Sequence, residues 1–350
     1  MEKIKVYRLS LGKWLIDKKT EKNVSSLKSI RKILFIHYDG KIGDYIVSTF
    51  VYSQLREQNP QLQIDTIVSK SNIDFIKSDT NIDSIFLLKG RSYFEFIRQS
   101  LFLRKQNYDV LFDATPSLRN RDLLFIRLVN ASFNIGYNKE NYKIFNSSVP
   151  KEAIPTAKIY QQMMLKLGYY SDNTSYIIPK NDRLELETIN FLNSIPYKKI
   201  IVVNLFGASR SRKFSKETAL VLLNLVLEQF PNHTIVLLTY PQINSLIKEI
   251  IDTLQTKNVT SFLETTSIFH TIAIIKRASL VITPDTVVVH ISDAYRIPLV
   301  AFYSMDEVNF SHWNSIQEQK VIVRYQNNIN QLTSTQISNA LQNACNLFNI

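Results

Sequence analysis

Three short clusters of polar residues have the types and spacing that a site for an anionic substrate needs. The first, HYDGKIGD at 37–44, follows a short apolar run and ends in Asp44 at the expected start of a helix. A carboxylate there could accept a proton from a hydroxyl group, or it could be the N-cap of the helix. A cap explains neither Gly40 nor Gly43, and the G-x-G-x-x-G spacing of a dinucleotide site is absent. Both interpretations of Asp44 stay open at this point.

The second cluster, FGASRSRKFS at 206–215, has a composition suited to a diphosphate. Gly207 lets the backbone turn closely, Ser209 offers a hydroxyl, and Arg210 and Lys213 belong to a run of three bases. Backbone N–H groups and cationic side chains together favour a phosphate ligand. The alternative is a solvated basic loop before a helix capped by Ser215. The position after a predicted strand favours binding.

The third cluster, PDTVVVH at 284–290, also follows an apolar run. Asp285 and Thr286 are expected to open a helix, whose N-terminal N–H groups favour an anion. His290 lies four residues beyond Thr286 and therefore shares its helical face. The alternative for His290 is a core histidine that hydrogen-bonds to a neighbour.

Alternating strands and helices are predicted to position these clusters. Strands are expected at 32–37, 63–68, 84–88, 109–113, 199–204, 234–239, 259–262, 279–283 and 298–302. Helices are expected at 46–58, 93–105, 119–130, 157–167, 215–229, 242–254, 267–276, 286–295 and 335–348. This alternation predicts parallel sheets covered by helices on both faces. The clusters follow strands, where ligands of such sheets bind.

The pattern predicts five segments along the chain. Residues 1–30 form a basic N-terminal arm, 31–180 and 198–330 form two Rossmann-like domains, 181–197 form a polar linker, and 331–350 form a C-terminal helix with a capping box. The arm mixes bases with apolar residues. It is interpreted either as a surface arm packed on the body or as a peripheral membrane contact.

Composition narrows the possible partners. The net charge of +12 over 350 residues requires an anionic partner, such as nucleic acid, anionic lipid or a phosphorylated substrate. No nucleic-acid reader motif is present, so nucleic acid is not expected. Cys345 is the only cysteine, which excludes an intrachain disulfide and disfavours a thiolate zinc site. The sequence shows neither a signal peptide nor an apolar run of transmembrane length, and we expect a cytoplasmic protein.

The three clusters, in this order, resemble the motifs of glycosyltransferase family 9, the heptosyltransferases. The family opens with a strand and a Gly-Asp motif, matched here by KILFIHYDGKIGDYIVSTF. It continues with a Gly-Ala-Ser-type turn and a lysine before a helix, matched by VVNLFGASRSRKFSKE. It closes with Asp-(Ser/Thr)-Gly-x-x-His after a strand, matched by VITPDTVVVHISDAYRIPLVAFY. The resemblance covers about residues 31–325.

This resemblance implies a GT-B fold of the α/β class, in which two Rossmann-like domains with parallel sheets face a central cleft. It implies an inverting transfer without a metal or other cofactor, with Asp44 as the general base. The donor would be a nucleotide-sugar, usually ADP-heptose, and the acceptor the lipopolysaccharide inner core on lipid A. The implied donor-binding residues are Gly207, Ser209, Arg210, Lys213, Asp285, Thr286, Val287 and His290.

Three features depart from the family pattern. The glycine after Asp-(Ser/Thr) is Val287, whose branched side chain would crowd a diphosphate. Tyr240-Pro241-Gln242 replaces a glycine and an acidic residue that meets the nucleoside, and Phe50 replaces a proline. Two alternatives therefore stay open. One is transfer of another nucleotide-activated sugar, and the other is a non-catalytic homologue that binds glycolipid or nucleotide.

The basic residues of the N-terminal half are expected to meet the acids of the acceptor. Phosphates and Kdo carboxylates make the lipopolysaccharide inner core anionic. The expected acceptor-binding residues are Lys41, Gly43, Arg98, Arg119 and Arg121. We expect this contact at the cytoplasmic face of the inner membrane, with the protein bound peripherally.

Overall fold

The computed structural model describes residues 10–19, 30–195 and 199–350 of the chain. The chain divides into two compact units, Met1–Thr174 and Ser175–Ile350. The remainder of the predicted N-terminal arm, residues 1–9 and 20–29, lies outside the described residues. No helix within the described ranges has the length and apolarity needed to cross a bilayer.

Unit 1 is built on one six-stranded parallel sheet. Its strands are β1 (Lys32–His37), β2 (Gln63–Ser69), β3 (Ser84–Leu88), β4 (Val110–Asp113), β5 (Phe133–Tyr137) and β6 (Ser147–Val149). They pair in the order β3-β2-β1-β4-β5-β6. Its helices are α1 (10–16), α2 (Ile42–Gln58), α3 (Ile73–Ile76), α4 (Tyr93–Arg104), α5 (Asn120–Val129) and α6 (Thr156–Lys166).

Unit 2 has a second six-stranded parallel sheet. Its strands are β7 (Ile200–Val203), β8 (Thr234–Leu237), β9 (Val259–Ser261), β10 (Leu280–Pro284), β11 (Leu299–Ser304) and β12 (Lys320–Tyr325), in the order β12-β11-β10-β7-β8-β9. Its helices are α7 (Asp182–Asn193), α8 (Lys216–Gln229), α9 (Asn244–Leu254), α10 (Ile268–Ile275), α11 (Val287–Tyr295), α12 (Glu307–Trp313) and α13 (Ser334–Phe348).

The two sheets share one topology. Counted from the first strand of each unit, the order is 3-2-1-4-5-6, which is the doubly wound Rossmann order. The strand order reverses between β1 and β4 in unit 1 and between β7 and β10 in unit 2. The prediction of an α/β protein with two Rossmann-like domains and parallel sheets is confirmed.

Burial on both faces explains the continuous apolar runs of the central strands. Ile33, Leu34 and Phe35 of β1 are at most 1% exposed, and Ile201 and Val202 of β7 are fully buried. Helices cover both sides of a parallel sheet, so neither face of a central strand meets water. The runs that predicted these strands are therefore the centres of the two cores.

The structure differs from the prediction at the expected linker, because 182–193 form the helix α7 of unit 2. Asn181 caps this helix by accepting a hydrogen bond from the N–H of Leu184. Leu184, Thr188 and Leu192 are buried at a spacing of four residues, which places them on one helical face. The polar residues that suggested a linker form the solvent-facing side of an amphipathic helix.

Candidate active site

The three clusters lie at the points where the strand order of each sheet reverses. The segment 37–44 follows β1, and the segments 204–213 and 285–290 follow β7 and β10. In open parallel sheets a crevice forms beyond the carboxyl ends of the strands at such a switch point. Unit 1 therefore carries one candidate site and unit 2 carries another.

The loop after β1 turns sharply at Gly40, which has a φ of +86°. A side chain there would be strained, because this φ lies in the left-handed region. A Cβ atom would also come within 2.2 Å of the Ser71 Oγ, which hydrogen-bonds to the carbonyl of Gly40. The conformation and the close approach both require glycine, and they fix the path of the chain into α2.

Asp44 lies in the first turn of α2 and is not the N-cap of that helix. Lys41 occupies the cap position, Gly43 is the second residue of the helix, and the Lys41 Nζ lies 3.2 Å from Oδ2 of Asp44. The Asp44 side chain is 27% exposed. Burial and then the charge of Asp39 raise the pKa of Asp44 to about 7, while Lys41 opposes the rise. A carboxyl group with this pKa is well matched to proton transfer near neutral pH.

His37, at the end of β1, has a structural role behind this loop. Its ring nitrogen Nε2 hydrogen-bonds to the hydroxyl of Tyr52, and the residue is buried. Burial lowers the pKa of His37 to about 4, so the imidazole is neutral at physiological pH. The ring contacts Tyr45 edge-on, within the aromatic packing under α2.

Two of the predicted acceptor-binding residues, Arg98 and Arg119, differ in whether their charge is already paired within the protein. Arg98 makes hydrogen bonds of 2.8 and 2.9 Å to Glu95, so its charge is neutralised within α4. Arg119 is exposed at the N-cap position of α5, where its backbone N–H donates to Asp122. Arg119 is therefore the better placed of the two to meet an acceptor anion.

Arg121 is linked to the loop that carries Asp44. Its Nη1 donates to the carbonyl of Arg91 at 3.1 Å, and its guanidinium lies 5.2 Å from the centre of the Phe96 ring. Arg91 in turn donates to the carbonyl of Asp39 at 3.4 Å. Arg121 also lies 3.7 Å from the Asp122 carboxylate. Arg91 therefore contacts the loop that carries Asp44, and Arg121 is linked to that loop through Arg91.

The loop after β7 closes on itself as a tight turn. The N–H of Gly207 donates to the carbonyl of Arg212 at 2.9 Å, and Phe206 pairs with Lys213 in an antiparallel bridge. A Cβ at position 207 would approach the Cβ of Arg212 to 2.5 Å. The close turn predicted at Gly207 is present, and it arises from packing of the loop against itself.

Arg210 and Lys213 are the cationic side chains that this loop leaves uncommitted. Within the described part of the chain, neither side chain makes a hydrogen bond or an ion pair, whereas the Ser209 hydroxyl lies 2.9 Å from the Ser211 hydroxyl. Arg210 is exposed and Lys213 is half-buried. Across the described ranges, no group of three or more His, Cys, Asp and Glu side chains could hold a metal ion.

Arg212, which the sequence analysis did not assign to the site, joins this loop to the third cluster. Its guanidinium contacts the Asp285 Oδ2 at 3.0 Å and the Asp285 carbonyl at 3.1 Å. Asn309 of α12 donates to the same carboxylate at 2.8 Å. Burial raises the pKa of Asp285, and Arg212 and Asn309 counteract it. The Asp285 carboxylate therefore holds the loop after β7 and the loop after β10 together.

We expect Arg212→Leu to destabilise unit 2, because it leaves the buried carboxylate of Asp285 without its cation. Removing one partner of a fully buried pair costs about 3–5 kcal/mol. Because Arg212 is 29% exposed, solvent reduces the expected cost to about 2 kcal/mol. Urea unfolding monitored by circular dichroism measures this loss. The matched control is Arg183→Leu, whose exposed ion pair with Glu187 should contribute less than about 0.5 kcal/mol. Equal midpoints for the two variants would contradict the assignment.

Thr286 is the N-cap of α11, and its hydroxyl lies in a small hydrogen-bond network. It accepts from the N–H of Val288 at 3.2 Å and from the Asn204 Nδ2 at 3.2 Å. The same amide donates to the Thr283 hydroxyl at 3.0 Å, and the two threonine hydroxyls lie 3.2 Å apart. Thr283 also donates to the carbonyl of Pro284 at 2.8 Å. Asn204, at the end of β7, therefore joins the two switch-point strands.

His290 lies inside unit 2, on the buried side of α11. It is 4% exposed and contacts the rings of Tyr176 and Trp313, and its Nδ1 has no hydrogen-bond partner among the described residues. Burial lowers its pKa to about 4, so the ring is neutral. His290 lies on α11, as expected. It is buried like a core histidine, but its Nδ1 lacks the hydrogen bond to a neighbour that this alternative predicted among the described residues. Val287 is the first helical residue and is half-buried.

The segment expected near a nucleoside forms a short 3-10 turn, Pro241–Ile243. Tyr240 precedes the turn and is 40% exposed, and Gln242 is exposed. The turn presents an aromatic ring and an amide where the family pattern has an acidic residue.

Comparisons with known proteins agree with this arrangement. The family model described as glycosyltransferase family 9 (heptosyltransferase) matches residues 97–343. The chain is 24% identical over 312 residues to the putative lipopolysaccharide heptosyltransferase 4 of Escherichia coli (strain K12), covering 87% of this chain and 82% of that protein. The structure of E. coli ADP-heptose lps heptosyltransferase II superposes with a TM-score of 0.69 at 16% identity, over 91% of this chain and all of that one. A family 9 glycosyl transferase of Veillonella parvula gives a TM-score of 0.74 at 14% identity, over 91% and 98%.

Proposed function

The chain belongs to glycosyltransferase family 9, the heptosyltransferases, and from this premise we propose that it transfers heptose from ADP-heptose to the lipopolysaccharide inner core. The names of the E. coli relatives support this donor and this class of acceptor. The observation that carries the proposal is Asp44, a partly exposed carboxyl group at the switch point of unit 1 with a pKa raised to about 7.

In the proposed reaction, Asp44 acts as the general base. An acceptor hydroxyl attacks the anomeric carbon of the donor on the face opposite the diphosphate. The new carbon–oxygen bond forms as the bond to the diphosphate breaks, which inverts the configuration. The proton of the attacking hydroxyl passes to a carboxylate oxygen of Asp44. General-base assistance of this kind contributes about 10²- to 10⁴-fold to a rate.

The loops of unit 2 hold the donor diphosphate in this proposal. Lys213 and Arg210 supply positive charge, since both lie on the loop after β7, where Arg210 is exposed and Lys213 is half-buried. The first turn of α11 adds backbone N–H groups that have no acceptor within the helix. Fixed cations and N–H groups stabilise negative charge as it develops on the leaving group. Arg212 and Asp285 position the two loops and do not contact the diphosphate themselves.

Acceptor recognition is proposed for the cations beside the 37–44 segment. Arg91 contacts the loop that carries Asp44, Arg119 and Arg121 lie at the start of α5, and Lys41 is 65% exposed beside Asp44. The anionic groups of a lipopolysaccharide inner core complement these charges. The contact is proposed at the cytoplasmic face of the membrane that holds the lipid-linked acceptor.

A donor panel tests the proposal directly. The purified protein is incubated with ADP-heptose, ADP-glucose and UDP-glucose, each with heptose-deficient lipopolysaccharide, and the products are analysed by mass spectrometry. We expect the acceptor mass to increase by one heptose with ADP-heptose alone, and the anomeric configuration of the product to be opposite to that of the donor. Retention of configuration would exclude the single-displacement mechanism.

Transfer of another nucleotide-activated sugar is the second candidate function. Val287 and the Tyr240–Gln242 segment favour it, because they alter two places where a nucleotide would be recognised. Under this alternative the panel shows transfer from a donor other than ADP-heptose. Nucleotide binding without any transfer would instead support a non-catalytic homologue.

A further inference from the structure

The outer helices of unit 1 carry exposed apolar side chains. Leu11, Trp14 and Leu15 of α1 are 60%, 76% and 57% exposed. Their spacing of three and four residues places them on one face of the helix. Phe94 of α4 is 75% exposed, and Phe102 of the same helix is 48% exposed. Each helix therefore exposes apolar side chains to solvent.

These two helices flank α5 on one face of the sheet. Phe96 of α4 and Ile126 of α5 belong to one apolar cluster with strand residues, and Ile16 of α1 packs against it. The Arg127 guanidinium donates to the carbonyls of residues 18 and 19. At the start of α5, Gly12 of α1 lies against Asn120, and a Cβ atom on Gly12 would come within 2.1 Å of the Asn120 Nδ2. The helices α1, α5 and α4 thus form a single layer.

The charge exposed by this layer is positive. The ranges 10–19, 93–105 and 119–130 contain nine Lys and Arg residues and three acidic ones. The acids, Asp17, Glu95 and Asp122, are each 9% exposed or less and accept hydrogen bonds within the fold. Solvent therefore meets bases and apolar side chains on these helices, while the carboxylates point inward.

Exposed aromatic and aliphatic side chains combined with exposed bases are the composition of a surface that lies on an anionic bilayer. We infer that the layer formed by α1, α4 and α5, here called the docking layer, binds anionic membrane lipid. Trp14 and Phe94 enter the headgroup region, and the bases contact lipid phosphates. The inference depends on the proposed function in one respect only, the role given to membrane binding. That role is to hold the Asp44 loop near a lipid-linked acceptor.

The contacts of the docking layer explain that role. Arg121 of α5 donates to the backbone carbonyl of Arg91, which precedes α4, and the Arg91 guanidinium donates to the carbonyl of Asp39 in the loop before Asp44. The start of α5, where Arg119 lies, packs against α1. A membrane bound to this layer would therefore lie beside the predicted acceptor site of the same unit.

Tryptophan fluorescence tests the docking layer without any sugar transfer. The chain has two tryptophans, so Trp313→Phe leaves Trp14 as the only reporter. Vesicles of phosphatidylglycerol and phosphatidylcholine are added at low salt, with pure phosphatidylcholine vesicles as the comparison. We expect a blue shift of Trp14 emission with the anionic vesicles, reversed at high salt. Vesicle binding without a change in Trp14 emission would overturn the inference, and so would an absence of binding.

Vesicle sedimentation of chains that retain Trp313 provides an independent measurement. We expect the Trp14→Ala, Leu15→Ala double variant to partition at least about tenfold less into anionic vesicles. The matched control is Leu165→Ala with Leu347→Ala, two side chains that are 60% and 66% exposed on other helices. Transfer to a delipidated core oligosaccharide should be equal in all variants. If the wild type transferred no sugar to that soluble acceptor, the result would count against the proposed function and would not affect the membrane-binding inference.

Discussion

Asp44→Asn is expected to lower kcat of sugar transfer by about 10²- to 10⁴-fold, with little change in donor KM. The amide has the shape of the carboxylate but cannot accept the proton of the acceptor hydroxyl. Because the Asp44 side chain is partly exposed and not the cap of α2, the fold should tolerate the change. Initial rates at saturating donor and acceptor measure the effect. The matched control is Asp74→Asn on α3, whose carboxylate is 92% exposed and should be dispensable.

The pH profile supplies a second measurement of the same assignment. The base works when it is deprotonated, so kcat/KM should fall about tenfold per pH unit below the pKa of Asp44, which is about 7. Asp39→Asn removes a like charge that raises this pKa, so the midpoint should move to lower pH. A wild-type profile that stays flat from pH 5 to 8 would contradict Asp44 as the general base, as would undiminished transfer by Asp44→Asn.

Lys213→Ala is expected to lower kcat of transfer by about 10²- to 10³-fold and to raise the donor KM. The size follows from the loss of one fixed group that stabilises the developing charge of the leaving diphosphate. The loop itself should persist, because its closure uses the backbone of Gly207 and Arg212. Steady-state kinetics with varied donor measure both parameters, and calorimetry with ADP measures the loss in affinity.

The controls for this prediction separate a specific contact from general charge. Lys248→Ala removes an exposed lysine from α9 and should leave both kinetic constants unchanged. Lys213→Arg keeps the charge and should retain more activity than Lys213→Ala. If Lys213→Ala binds ADP as the wild type does and transfers at the same rate, the cation is not part of the donor site.

The sequence predicts best the parts of this fold that are decided locally. Central strands such as β1 and β7 are continuous apolar runs because both faces are covered, and that pattern is visible in the chain itself. The last helix begins at the capping box of Thr333 and Gln336, as predicted. Three strands were not predicted, because none of them forms a continuous apolar run like those of β1 and β7. β5 contains Asn134 and Gly136, β6 has three residues, and β12 is an edge strand whose side chains are mostly half-buried.

The candidate site divides in the same way. The positions of Asp44, Gly207 and Thr286 follow from strand ends and helix starts, so spacing was sufficient to find them. The partner of Asp285 is Arg212, which lies 73 positions earlier in the chain, and only the folded sheet brings the two together. The raised pKa of Asp44 likewise arises from burial by the fold. Such long-range effects leave no periodic pattern in the sequence.

The network around Thr286 decides which of its groups remains for a ligand. When Thr283 donates its hydroxyl hydrogen to the carbonyl of Pro284, the Thr286 hydroxyl is the donor in the contact between the two threonines. Both lone pairs of Thr286 are then occupied by Asn204 and Val288. In this arrangement the Thr286 hydroxyl has no hydrogen left for a phosphate oxygen, and the backbone N–H of Val287 is the donor that remains. Every residue except proline carries a backbone N–H. A valine at position 287 can therefore donate this hydrogen bond wherever its side chain leaves room for the phosphate.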